Sequence, residues 1–165
     1  MIRGGFFNLF AKMARNLPFL PLIGGGTTKF QPVYVGDVAD AVMAAIKLPN
    51  VGKDSPIGNI YELGGPEILE FRDIYNRLFF YTRRSRMMIN LSFRMAKLQA
   101  SLLSLMPKPL LTPDQVESLK TDSLVGKNAK GLAELGVEPT GMGMILPEYL
   151  ETYCPGGHYS NKKRA

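Results

Sequence analysis

A tyrosine and a lysine near the end of the chain have the spacing of a catalytic pair. Tyr159 and Lys163 have three residues between them, so on a helix the ammonium group would lie one turn from the phenol and would lower its pKa. The pair follows Pro155-Gly156-Gly157 in a polar segment with little to hold it rigid, so its spacing is interpreted as accidental. His158 stands alone, and no serine or cysteine has the sequence context of an activated nucleophile. The sequence therefore predicts no catalytic residue.

Glycines that could approach a phosphate group occur at two places. Gly24-Gly25-Gly26 is followed by neither Gly-Lys-Ser/Thr nor a helix, so it does not match a phosphate-binding loop. Gly141 and Gly143 open a helical segment, but no strand precedes them and a third glycine is missing. The single cysteine, Cys154, and the single histidine leave no metal cluster and no internal disulfide. We expect this chain alone to bind neither a nucleotide nor a metal.

Length and charge limit the class of protein. The chain has 165 residues, 45% of them hydrophobic, and a net charge of +6. It is long enough for one domain with a sizeable core, and its composition argues against disorder. Acids are interspersed with bases from Asp37 onward, so nucleic-acid binding is not predicted. Charged residues interrupt the most apolar stretch, 91–111, so we expect a soluble or peripheral protein that is not secreted.

Residues 1–31 contain four bases and no acid. This composition fits a mitochondrial presequence, but apolar residues recur from Phe6 to Leu17 with the period of an amphipathic helix. We favour a helix that docks on the core and ends near Asn16, ahead of Pro18.

Periodicity predicts short strands and several helices after this segment. Strands are expected at 30–35, 59–63 and 87–91, and a brief extended piece at 68–71. Asp37 is expected to cap a helix over 37–48, whose buried stripe is Val38, Ala41, Val42, Ala45 and Ile46. A second helix should bury Phe71, Ile74, Tyr75 and Leu78 and end at the basic group Arg83, Arg84 and Arg86.

The second half of the chain is predicted to be helical. Leu91, Met95, Leu98, Leu102 and Leu105 form one narrow seam, expected to dock on the protein; attachment to a membrane surface is the alternative. Thr112-Pro113-Asp114-Gln115 is a capping box, and Gly136 should end a short helical turn. Thr140 should cap a last helix that Pro147 breaks or restarts.

A series of motifs in order along the chain resembles a known family. The motifs are Gly5-Phe6-Phe7-Asn8, Leu20-Pro21-Leu22-Ile23-Gly24-Gly25-Gly26, Phe30-Gln31-Pro32-Val33-Tyr34-Val35-Gly36-Asp37-Val38-Ala39, Tyr61-Glu62-Leu63-Gly64-Gly65-Pro66, Leu111-Thr112-Pro113-Asp114-Gln115-Val116, Leu119-Lys120-Thr121-Asp122 and Leu146-Pro147-Glu148-Tyr149-Leu150. They resemble extended or atypical short-chain dehydrogenase/reductases of the NAD-dependent epimerase/dehydratase type. Within these, the match is to the branch that contains the nicotinamide-nucleotide-binding accessory subunit of respiratory complex I.

The resemblance implies an α/β fold that is the C-terminal fragment of a Rossmann-type protein, mostly helical with a few short strands. The family's Gly-rich turn for NAD(P) and its catalytic helix belong to an N-terminal half that we expect to be absent. Residues 1–153 would form the substrate-side lobe with edge elements of the sheet, chiefly helix 37–48 and strand 59–63, and 154–165 a flexible basic tail. An uncovered apolar helix face would then require the missing Rossmann half, a dimer mate or respiratory complex subunits.

The resemblance also places a ligand cleft. Phe7, Asn8, Gln31 and Tyr34 would lie toward the substrate-side cleft between the two halves. Gln31 stands near the position where sugar-nucleotide epimerases have a diphosphate-binding arginine, which argues against sugar-nucleotide substrates. Asp37 matches the family's Val-x-Asp-Val-Ala aspartate, but its place at a helix start favours a structural role.

Three hypotheses follow for function. The first is a protein that resembles the accessory subunit and has no catalytic activity on its own. The second is one half of a split NAD(P)-dependent dehydrogenase, isomerase or epimerase that needs a separate Rossmann half. The third is a peripheral membrane or complex-assembly module that uses helix 91–106 and the basic residues Arg83–Arg86. The expected location is the bacterial cytoplasm or the matrix side of the mitochondrial inner membrane.

Overall fold

Six helices and four short strands occur among residues 6–49, 52, 55–104 and 111–156, which are the residues that the structure, a computed structural model, describes. The α/β class with mostly helix and a few short strands is therefore confirmed. The chain divides into two compact units. Unit 1 combines Met1–Lys29, Leu69–Asp122 and Leu146–Ala165, and unit 2 combines Phe30–Ile68 and Ser123–Ile145.

Two helices with aromatic faces form the centre of unit 1. Helix α1 (Phe6–Asn16) packs on α3 (Phe71–Thr82), and the ring of Phe10 meets Phe71 and Tyr75 edge-on, with centroids 5.4 and 5.0 Å away. Tyr75 is fully buried and its hydroxyl donates to the Pro21 carbonyl at 3.2 Å. Burial raises the pKa of Tyr75. Both predicted helices, including the inward residues of α3, are confirmed.

A parallel pair of strands lies beside these helices. Strand β1 (Phe19–Ile23) pairs with β4 (Met87–Leu91) in the register Phe19↔Met87 to Ile23↔Leu91. The sequence predicts β4 but not β1, because Pro18 and Pro21 argue against a strand. Pro21 fits because a proline within a strand is tolerated at a sheet edge, where a missing N–H breaks no ladder bond.

Helix α4 (Phe93–Leu103) packs on α5 (Pro113–Ser118) in the same unit. Ala96 and Ala100 are buried against Val116, because their small side chains let α5 approach closely. The prediction that the leucine seam docks on the protein is wrong, because Met95, Leu98 and Leu102 are exposed. Leu105 lies outside the described residues. The capping box of α5 is confirmed.

Unit 2 is built around helix α2 (Val35–Lys47). Ala41 is buried in a cluster with Leu132 and Leu135, and Ala44, Ala45 and Leu48 pack against it. The predicted stripe is therefore partly wrong, since Val42 and Ile46 are exposed. Gly136 takes a left-handed φ of 70° and ends the turn Ala133–Leu135, as predicted.

Two predicted strands do not form. Only β2 (Lys29–Phe30) exists within 30–35, because Pro32 has no N–H to pair and Tyr34 already caps α2. Residues 59–63 form a single bridge, Tyr61↔Lys130, so the predicted sheet-edge strand is wrong. The extended piece at 68–71 is confirmed as β3 (Leu69–Glu70).

The last helix contradicts the expectation at Pro147. Helix α6 (Met142–Leu150) continues through this proline, which removes only one backbone hydrogen bond, and ends three residues later. Among the described residues, no helix has the length and apolarity needed to cross a membrane.

Candidate functional site

The side chain of Gln31 joins two loops of unit 2. Its Nε2 donates to the Gly65 carbonyl at 2.9 Å, and its Oε1 accepts from the Val125 N–H at 3.1 Å. The backbone of Gln31 adds a bond from its N–H to the Ser123 carbonyl at 3.0 Å. Because both ends of the amide already have protein partners, Gln31 acts as a brace between the loops.

Two carboxylates near Gln31 accept hydrogen bonds from glycine N–H groups, Glu62 from a distant loop and Glu134 from within its own turn. Glu62 accepts from the Gly126 N–H at 2.7 Å, and Glu134 accepts from the Gly131 N–H at 2.6 Å. The Gly131 hydrogen bond lowers the pKa of Glu134, so this carboxylate stays ionised at neutral pH. It is therefore suited to accept a hydrogen bond and poorly suited to donate a proton.

These three polar side chains line an open cavity of about 250 Å³ within unit 2. Its apolar walls are Val125, Leu132 and Pro139, among others. A smaller space of about 140 Å³ shares Gln31 and Glu62. Typical ligand pockets occupy about 300–1,000 Å³, so the larger cavity fits a fragment such as one side chain of a partner rather than a nucleotide.

Two glycines keep the loops close together beside Gln31. A Cβ on Gly65 would meet the Pro32 carbonyl oxygen, and one on Gly64 would meet Val125 and the Gln31 amide. Both positions therefore need glycine for space. The Tyr61-Glu62-Leu63-Gly64-Gly65-Pro66 motif contains them, but sequence reasoning missed Glu62 and Glu134 as lining residues. Glu62 finds its partner, Gly126, 64 residues later, whereas Glu134 bonds to Gly131 in its own turn.

Asp37 is structural, but its predicted partners are wrong. The carboxylate is buried and accepts from both the backbone N–H and the hydroxyl of Thr140, each at 2.7 Å. Tyr34 occupies the N-cap of α2, which places Asp37 inside the first turn. The hydroxyl of Thr140, predicted to cap the last helix, is used in this bond to Asp37.

The four predicted cleft residues fall in different units. Phe7 and Asn8 belong to α1 in unit 1, where Asn8 Nδ2 donates to the Tyr149 hydroxyl at 2.9 Å. Gln31 and Tyr34 belong to unit 2, and Tyr34 is exposed. Each pair is close in its own unit, and the shared cleft stays a prediction.

The triple glycine turn does not fit a cofactor pyrophosphate. Its three glycines have positive φ, and a Cβ on Gly24 or Gly26 would meet Phe93 or Leu22 of this chain. The Gly25 carbonyl accepts from Arg72 Nη2 at 3.0 Å. Packing against Phe93 and Leu22 of its own unit therefore accounts for glycine at positions 24 and 26.

Within the described part of the chain, no three His, Cys, Asp or Glu side chains are grouped to hold a metal ion. Tyr159, Lys163 and His158 lie outside the described residues, as does most of the predicted basic tail.

Comparison with known proteins identifies relatives. Mitochondrial NADH dehydrogenase (ubiquinone) 1 alpha subcomplex subunit 9 of Arabidopsis thaliana is 37% identical over 159 residues, which are 91% of this chain and 39% of the relative. The chain is a homologue of these complex I subunits. The Mus musculus protein of the same name is 29% identical over 90% of this chain and 38% of its own length. The mitochondrial 40 kDa subunit of NADH-ubiquinone oxidoreductase from Neurospora crassa is 25% identical over 82% of this chain and 35% of its own length.

The predicted resemblance to this accessory-subunit branch is therefore confirmed. The chain spans about two fifths of the length of the curated relatives it matches, and the matched part is C-terminal in them. No family model matches the chain. A solved structure of UDP-glucuronic acid 4-epimerase from Bacillus cereus in complex with NAD covers 89% of this chain and 40% of its own, with 20% identity and a TM-score of 0.45.

Proposed function

We propose that this chain is a structural lobe of an accessory subunit in a respiratory NADH dehydrogenase, without a catalytic centre of its own. The 37% identity over 91% of the chain with the Arabidopsis subunit carries the proposal. The polar residues of unit 2 support it, because Gln31, Glu62 and Asp37 are used to brace loops. The location would be mitochondrial, on the matrix side of the inner membrane.

The outer face of α2 is the proposed contact with the rest of that subunit or complex. Val35, Val42, Met43 and Ile46 are exposed on this helix, with Ile46 at 68%. Exposed apolar side chains grouped on one helix are typical of a covered interface. The chain matches only 39% of the Arabidopsis relative, so further polypeptide of the same kind is the natural cover.

Native electrophoresis tests the proposal in cells of the source organism. A tagged full-length chain should migrate with assembled, NADH-oxidising complex, and Val42→Glu with Ile46→Glu should release it to low mass. Met144→Glu on α6, also exposed, is the matched control and should leave migration unchanged. The proposal would be overturned if the wild-type chain migrated only at the mass of the free chain.

A second candidate is half of a split NAD(P)-dependent dehydrogenase, isomerase or epimerase. The exposed face of α2 favours it as well, since a separately encoded Rossmann half would cover the same residues. In this case NAD(P) would be bound by that half, with Phe7, Asn8, Gln31 and Tyr34 facing its substrate. Co-expression with any Rossmann-type product of a neighbouring reading frame should then give a stable complex that turns over a nicotinamide cofactor. A product that does not bind this chain would exclude the candidate.

A further inference from the structure

We propose that the outward face of α4 in unit 1 binds the surface of an anionic lipid membrane, which goes beyond membership of a respiratory complex. Met95, Leu98 and Leu102 are 55%, 59% and 64% exposed. At about 100° per residue, these three side chains lie on one side of the helix, roughly opposite Ala96 and Ala100. The alanine side already packs on α5, so the apolar stripe is a second, separate face.

The sequence on both sides of this helix is basic, which favours a negatively charged surface. Between Asp73 and Asp114 the sequence has no acidic residue. It has seven bases there: Arg77, Arg83, Arg84, Arg86, Arg94, Lys97 and Lys108. Arg94 lies beside the apolar stripe on α4 and is exposed. Lys97 is further round the helix and pairs with Glu117 at 3.4 Å, so it adds less to the field.

An exposed apolar stripe on a helix that itself carries bases and no acid is the pattern of a helix that lies in a membrane interface. The apolar side chains would enter the boundary between headgroups and acyl chains, while Arg94 contacts lipid phosphates. A protein partner with an apolar surface would need acidic groups to match the same basic segment. The membrane is favoured because a bilayer supplies both features without a shaped partner.

Vesicle co-sedimentation of the purified full chain tests the proposal. Vesicles of phosphatidylcholine with phosphatidylserine should bind it, vesicles of phosphatidylcholine alone should bind it less, and added salt should weaken the binding. Leu98→Gln with Leu102→Gln should lower the partition coefficient by about tenfold, because two apolar side chains no longer enter the interface. Arg94→Gln should lower it by a smaller factor, about fivefold.

The matched control carries Ile57→Gln and Ile60→Gln in a loop of unit 2, which are also exposed but do not lie on a basic helix. Its partition coefficient should equal that of the wild type. Circular dichroism checks that each variant keeps its helix content. Binding that ignores phosphatidylserine, or that survives both leucine substitutions, would overturn the proposal. The proposal would also be overturned if the wild type bound no vesicles and the leucine variant lost self-association. That result would assign the stripe to a second copy of the chain.

Discussion

The two units differ in the interactions that stabilise each of them internally. All the largest fully buried side chains, including Tyr75, Phe71 and Leu20, belong to unit 1. Unit 2 buries smaller groups such as Ala41, and its loops are joined by hydrogen bonds that the side chains of Gln31, Glu62 and Asp37 accept from other chain segments. Apolar packing therefore stabilises unit 1, whereas polar braces hold unit 2.

The largest expected effect comes from removing an aromatic ring of unit 1. Phe71→Ala should lower the free energy of unfolding by about 3–5 kcal/mol, because its ring contacts Phe10 and Tyr75 and leaves a cavity. Phe80→Ala on the same helix should have little effect, since Phe80 is 77% exposed. Urea denaturation checks both variants. Equal losses for the two would contradict an apolar centre in unit 1.

A smaller loss is expected from the brace at Asp37. Asp37→Ala should cost about 2 kcal/mol, because the half-buried Thr140 N–H and hydroxyl both lose their acceptor. Asp40→Ala on the exposed side of α2 is the control and should be nearly neutral. Hydrogen exchange should accelerate in unit 2 of the Asp37 variant and not in α3. Acceleration spread evenly over both units would contradict separate stabilisation.

Removal of the Gln31 brace should cost slightly less. Gln31→Ala should lower the free energy of unfolding by about 1.5 kcal/mol, because the Val125 N–H and the Gly65 carbonyl lose their partner. Gln99→Ala, an exposed glutamine on α4, is the matched control. If Gln31→Ala leaves stability unchanged in thermal and urea unfolding, the residue is not a brace and its role as a ligand contact gains support.

The smallest effect distinguishes packing from hydrogen bonding at Tyr75. Tyr75→Phe should cost about 1 kcal/mol at neutral pH through the lost bond to the Pro21 carbonyl. Burial raises the Tyr75 pKa, so the folded state keeps the phenol neutral while the unfolded chain ionises above about pH 10. Wild-type stability should therefore fall as pH rises above 10, and the difference between the variants should narrow. A difference that stays constant from pH 7 to 11 would contradict this.

Local signals in the sequence predicted the elements that local interactions form. The capping box at Thr112 and Gln115 fixed the start of α5, and the spacing of Phe71, Ile74 and Leu78 gave the inward face of α3. The ordered motifs also identified the accessory-subunit branch, which the 37% identity confirms.

Errors arose wherever a partner from a distant segment decides the outcome. The spacing of apolar residues does not predict that α5 packs on the alanine side of α4. Alanine is small, so it contributes little to a hydrophobic pattern. Asp37 and Thr140 are 103 residues apart, so no local pattern predicts the hydrogen bonds between them. The strand expected at 59–63 needed an extended neighbour, but its partner segment offers only Lys130 for pairing.

Both units are assembled from stretches that are far apart in the chain. Helix α1 of unit 1 packs on α3 and bonds through Asn8 to Tyr149, 141 residues later. During synthesis on the ribosome, helix α1 must wait until the residues up to Tyr149 have been made before its final contacts exist. Newly made chain therefore exposes apolar helix surfaces for several seconds at about 5–20 residues per second. Chaperone binding in that interval would protect it until the last contacts close.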